Sequence, residues 1–223
     1  MKTQQTDILE MIQRFQKDNS PNNRYCSFDY CYNYFRINPR DKLTNDIEKS
    51  CLVIGFYLAS WGMLRGSSFL LQKSAKYFEP VIEYISTLDK NVWLVDVDKY
   101  DSKNIQLICD IYSEIKGKII DGKSSDLTLI TKIILGVFGF IPAFDQFFTN
   151  TFREIYGKDC GFRRLNHKSL QLVKDFYDSN KTAIDSISAD IFTTDFVTGL
   201  KTEINYPKAK IIDMYGFTKG LKN

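Results

Sequence analysis

Histidine is nearly missing from this chain: His167 stands alone among 223 residues. A zinc site would have to rest on Cys, Asp or Glu without the usual spacing, and Ser-His or Cys-His nucleophilic catalysis would hang on that single residue, so no metal and no cofactor are expected. Five cysteines, an odd number with no C-x-x-C pair, argue against a closed disulfide framework and fit reduced thiols. No stretch reaches about 18 uncharged apolar residues, so no membrane span is expected. The start, MKTQQTDILEMIQRFQKD, lacks the unbroken apolar run of a signal peptide, and a cytoplasmic location follows as the expectation. There is no G-x-x-x-x-G-K-[ST] and no strand leading into G-x-G-x-x-G, which disfavours nucleotide-phosphate enzymes of those classes. Charge of one sign is also scarce in excess: 30 basic against 27 acidic residues give +3, so attraction to DNA must come from local patches.

What the chain has is apolar and aromatic mass, 43% and 14% of residues, enough to bury a sizeable core. The length favours one domain over residues 1–223. Ile8, Met11, Ile12 and Phe15 share a face of a first helix, and Phe28, Cys31, Tyr32 and Phe35 share a face of a second. A longer helix is expected from Asp46 to a cap at Gly66, with a short one restarting at Ser67 and another at Tyr77 to Leu88. VWLVDV, residues 92–97, is the one plausible strand and reads as an extended connector or helix edge, since one strand makes no sheet. Helical spacing returns at 105–115. A turn follows at Gly122, then a helix from Asp126 to Gly139 and one opened by Pro142 and running to Tyr156. Later helices are expected near 167–180 and 183–192 and from Pro207 to Tyr215. The whole reads as an all-α, single-domain multi-helix bundle of about ten helices.

LITKIILGVFGFIPAFDQFF, residues 129–148, is almost wholly apolar yet holds Lys132 and Asp145. With Pro142 at the first helical position, Asp145 falls in a first turn, where the helix dipole favours a carboxylate. That preference is a sufficient structural reason for an acid. Five phenylalanines, at 138, 140, 144, 147 and 148, nonetheless place it beside an apolar surface.

A helix, a glycine-containing turn, a second helix, a proline loop and an aspartate at the next helix start resemble the helix-hairpin-helix superfamily of base-excision DNA glycosylases. The likeness covers residues 104–157, and its nearer relatives are outlying members with a P-x-x-D spacing. This chain has one turn glycine, Gly122, where the family's hairpin usually has more, and Asp145 lies three residues after Pro142 where two is common. The whole chain is also similar to a group of short bacterial proteins carrying S-F-D-Y-C-Y-N-Y-F, L-A-S-W-G-M-x-R-G-S and T-K-I-x-L-G segments. The resemblance implies a hydrolase that cleaves the N-glycosidic bond of a flipped and modified base, with DNA as partner and phage defence as a context. Asp145 would stabilise the oxocarbenium-like sugar, and Lys132 is the candidate amine nucleophile of lyase-active members. A lysine stem snorkelling to water explains Lys132 equally simply, so a monofunctional, water-using enzyme is the leading expectation. The rival is a non-catalytic helical module binding nucleic acid or protein.

Other residues would then complete the site. Tyr30 and Tyr34 lie off the core-facing stripe of their helix and, with Phe144, are candidates to receive the base. Tyr57, Trp61 and Arg65 recur every fourth residue, so Trp61 and Arg65 are further substrate-binding candidates, although Arg65 stacked on Trp61 is the plainer reading. Ser67 and Ser68 at a turn into a helix suit a phosphate. Lys123 in the hairpin turn, and Arg163, Arg164 and Lys168 in the basic loop GKDCGFRRLNHK, suit a DNA backbone, with steep loss of affinity in salt.

Overall fold

The computed structural model describes residues 2–17, 19–38, 40–120, 122 and 126–221. Those residues form eleven α-helices and one two-stranded sheet. The helices are α1 (Lys2–Lys17), α2 (Ser27–Ile37), α3 (Arg40–Asn45), α4 (Ile47–Ser60), α5 (Glu79–Thr87), α6 (Ser102–Ile119), α7 (Leu127–Phe138), α8 (Gln146–Tyr156), α9 (His167–Ser179), α10 (Lys181–Asp190) and α11 (Lys208–Gly220). The chain is mostly helical, as its periodicity predicts.

The centre is α7. Every residue from Leu129 to Phe144 is buried, and α2, α4 and α6 pack around α7. A helix apolar on all sides belongs inside. It ends where Gly139 takes a left-handed φ of 73° and donates to the carbonyls of Ile134 and Leu135, the glycine-type C-terminal cap. The second buried helix is α11, whose residues Ala209 to Thr218 are all buried, and its closest partner is α8.

Between α7 and α8 the chain runs without helix through the buried segment 139–144. Backbone groups hidden there need partners, and side chains supply them. Tyr100 donates to the Phe140 carbonyl, Asp213 Oδ1 accepts the Ala143 N–H at 3.0 Å, and Thr131 Oγ1 accepts the Phe144 N–H at 2.9 Å. Thr128 donates to the Phe144 carbonyl at 3.1 Å.

Several sequence expectations are corrected. Pro142 does not open a helix. The buried connection holds it, and α8 begins at Gln146 with Asp145 as its N-cap. The helix from Asp46 stops at Ser60, well before Gly66, because Gly62 already turns the chain at a φ of 75°. Beyond Ser67 the chain forms 3-10 turns, Phe69–Gln72 and then Ala75–Phe78, rather than an α-helix. VWLVDV, by contrast, is no strand, as expected: it runs through two 3-10 turns, Lys90–Leu94 and Val97–Lys99. The unforeseen element is an antiparallel hairpin of β1 (Phe192–Thr194) and β2 (Lys201–Asn205), with Phe192 opposite Asn205 and Thr194 opposite Lys201. It is tied to α2 through Asn33, which bonds both Thr193 and the Thr194 carbonyl, and through Asp29.

Candidate functional site

The two charges inside the apolar run meet. Lys132, midway along α7, donates to Asp145 Oδ2 at 2.9 Å, while Asp145 Oδ1 accepts the Phe148 N–H at 3.0 Å. The carboxylate therefore caps α8 with one oxygen and pairs with the ammonium through the other. The Lys132 side chain is 6% exposed and that of Asp145 13%, so what contact the pair has with water lies mainly at the acid.

Trp61, the residue following α4, lies beneath the ammonium, with Lys132 Nζ 5.2 Å from its ring centre. A second lysine shares the same indole: Lys210 Nζ lies 5.0 Å from Trp61 and 4.7 Å from Phe28, and donates to Asp213 Oδ2 at 2.8 Å. Two Lys–Asp pairs thus flank one tryptophan. Phe15, Tyr25 and Phe217 pack around that ring with centroids 5.5 to 6.4 Å away. The buried cations gain from pairing and from the indole's negative faces together. The Trp61 indole N–H is shut away from solvent and has no partner among the described residues.

Tyr57, one turn before Trp61, connects this cluster to the centre. Its ring presses on Gly136 of α7 so closely that a Cβ there would lie 2.4 Å from Cε1. Burial, with the nearby Cys31, Asp213 and Asp145 adding to it, holds the phenol well above its ordinary pKa. It stays protonated.

The basic loop is anchored against α8. Phe162, fully buried at a φ of 49°, sits edge-on to Phe144, Phe148 and Phe152 at 5.6 to 6.2 Å. Its neighbours Arg163 and Arg164, and Lys168 further on, are exposed. A buried aromatic plug therefore ties a cationic loop to the ladder that begins beside Asp145. His167 bonds Gln106 at 2.8 Å on the surface.

The remaining expected residues scatter. Phe144 is a core residue, 1% exposed and stacked on Phe148 at 5.3 Å. Tyr30 and Tyr34 line a groove between α2 and α4, where Tyr30 donates to the Pro21 carbonyl and Tyr34 pairs with Ser50. Arg65 is exposed and lies beside Gly62; the cations over Trp61 are Lys132 and Lys210. Ser68 caps the 3-10 turn through the Leu70 N–H and Ser67 is exposed. Lys123 lies outside the described residues.

Lys210 and Asp213 are the residues that sequence reasoning missed. The signal was available: AKIIDMYGF, residues 209–217, is another apolar run carrying one lysine and one aspartate.

Among the described residues no group of three or more His, Cys, Asp or Glu side chains could hold a metal ion, and no helix is long and apolar enough to cross a membrane. No family model, curated protein or solved structure matches the chain.

Proposed function

We propose that the protein cleaves the N-glycosidic bond of a nucleotide in DNA, in the manner of a helix-hairpin-helix base-excision glycosylase, with Asp145 as the carboxylate that faces the sugar. The observation that carries this reading is the Lys132–Asp145 pair at 2.9 Å, set beside an aromatic surface and adjoining an anchored cationic loop. An ionised carboxylate next to C1′ stabilises positive charge as the C1′–N bond lengthens. The bond's electrons leave with the base, a water oxygen bonds to C1′, and its proton passes to Asp145. Lys132 orients the carboxylate through the 2.9 Å hydrogen bond; the same placement supports a second route in which Nζ, having given its proton to Asp145, bonds to C1′ in place of water. Arg163, Arg164 and Lys168 would hold phosphates, and extrusion of the base brings C1′ to the pair. A modified base and a role in phage defence belong to the same proposal.

A second reading, a non-catalytic module, is favoured by the small exposure of the pair, 6% and 13%, which also suits a purely structural clamp on the 139–144 connection. Duplexes carrying assorted damaged or modified bases, assayed for abasic sites with wild type and Asp145→Asn, separate the two. Abasic sites from the wild type alone support the enzyme. Salt-sensitive binding without base release supports the module.

A further inference from the structure

A separate groove lies between α2 and α4, with a volume of about 780 Å³. One wall is Ser27, Cys31 and Tyr34 of α2; the other is Val53, Phe56 and Tyr57 of α4. The hairpin tip, Phe196 and Val197, flanks it, and Tyr30, edge-on to Phe196 at 5.0 Å and bonded to the Pro21 carbonyl, closes one end. Ile37, Leu52, Phe56, Phe196 and Val197 stay at least half exposed around it, a concentration of uncovered apolar surface that scattered surface residues do not make.

Two cations stand on the rim, Arg24 at the closed end and Lys49 toward the other. Each lies over a tyrosine ring, Arg24 over Tyr25 and Lys49 over Tyr34, and neither forms a salt bridge among the described residues. The acid in the lining, Asp195, is occupied by the N–H groups of Val197 and Thr198 and the Thr198 hydroxyl. Ser27, 5% exposed, lines the groove with a hydroxyl that has no partner among the described residues. A buried hydroxyl without a partner is costly unless something completes it.

The geometry points to a binding site for a soluble anionic amphiphile in this groove: an apolar body up to about 16 Å long, the helix span from Lys49 to Ser60, carrying a carboxylate or similar acid. The apolar walls take the body, Arg24 or Lys49 takes the anion, and Ser27 supplies a hydrogen bond inside. A cavity of this size with apolar walls and few polar groups is typical of small-ligand sites. The site is separate from the Asp145 cluster and does not rest on the glycosylase reading.

Anilinonaphthalene sulfonate fluorescence on the full chain tests it. The expected result is a saturable signal with one site per chain, displaced by dodecanoate but not by dodecyl maltoside at equal concentration. The Arg24→Glu/Lys49→Glu variant, altered only at exposed positions, should bind about tenfold more weakly, a difference of about 1.4 kcal/mol. Val53→Trp, which fills the groove, should abolish binding with unchanged circular dichroism. Asp145→Asn should bind as the wild type does. The proposal is overturned by a signal that does not saturate, by equal displacement with dodecyl maltoside or with oligothymidylate, or by charge variants that bind normally. Flotation with phosphatidylglycerol vesicles in the absence of dodecanoate binding also overturns it, since it assigns the surface to a membrane.

Discussion

Asp213 accepts the backbone N–H of Ala143 with one oxygen and the Lys210 ammonium with the other, at 3.0 and 2.8 Å. A single carboxylate on α11 thereby holds both a buried connection and a buried cation. Asp213→Ala leaves an ammonium and an amide unpaired inside the protein, and should destabilise the fold by about 3 to 5 kcal/mol. Replacing both charges, Lys210→Met with Asp213→Leu, should recover part of the loss. Urea unfolding of the three variants checks the order; a double variant weaker than Asp213→Ala would contradict it.

The Lys132–Asp145 pair predicts non-additive stability. Lys132→Met strands a carboxylate that still caps α8 and should cost about 3 kcal/mol. Asp145→Asn keeps an N-cap side chain of comparable quality but strands the lysine. Because both remove the same interaction, the double variant should fall short of the sum by about 1 to 3 kcal/mol. Strict additivity in a double-mutant cycle would show that the pair contributes nothing of its own.

Gly136 is required by the ring it touches. A methyl group 2.4 Å from Tyr57 Cε1 forces a fully buried ring out of place. Gly136→Ala should therefore destabilise by about 1 to 3 kcal/mol, although alanine is the better helix former by about 1 kcal/mol. An unchanged or raised unfolding temperature would mean that Tyr57 yields freely.

Asp29 links stability to pH. It is fully buried, accepts from Tyr206, the Thr194 N–H at 2.8 Å and the Cys26 thiol, and burial pushes its pKa from 3.8 up to about 6. The folded protein therefore holds this proton more tightly than the unfolded chain does. Between about pH 4 and 6 the native state carries the extra proton, so the stability associated with it is full below the unfolded pKa and is lost as pH rises toward 6. The loss attributable to this group is on the order of 3 kcal/mol. Chemical denaturation of wild type and Asp29→Asn across that window should show a fall with rising pH that is smaller in the variant, where Asp96, which burial also raises to about 6, still contributes; identical pH profiles would remove Asp29 as a source.

The sequence made the amphipathic elements readable. The stripe Phe28, Cys31, Tyr32 and Phe35 is buried throughout, and Gly139 ends α7 as expected. What escaped has a physical reason in each case. The hairpin at 192–205 depends on long-range ties to Asn33 and Asp29, which no local pattern contains. Pro142 suits a helix start, but the same fixed φ suits the extended connection that Thr131 and Asp213 hold. Lys210 and Asp213 sit on a helix buried on all sides, so no polar stripe marks them. The meeting of Lys132 with Asp145 depends on how far the chain turns back after Gly139, a quantity set by tertiary packing.

The most direct test of the glycosylase proposal is the single-turnover release of free base from duplex DNA by wild type and Asp145→Asn, across a panel of damaged and modified bases. The expected result is release by the wild type from at least one substrate and a loss of about 100-fold or more in Asp145→Asn, with both proteins folded by circular dichroism. Equal rates in the two proteins, or no release by the wild type from any substrate, would contradict it.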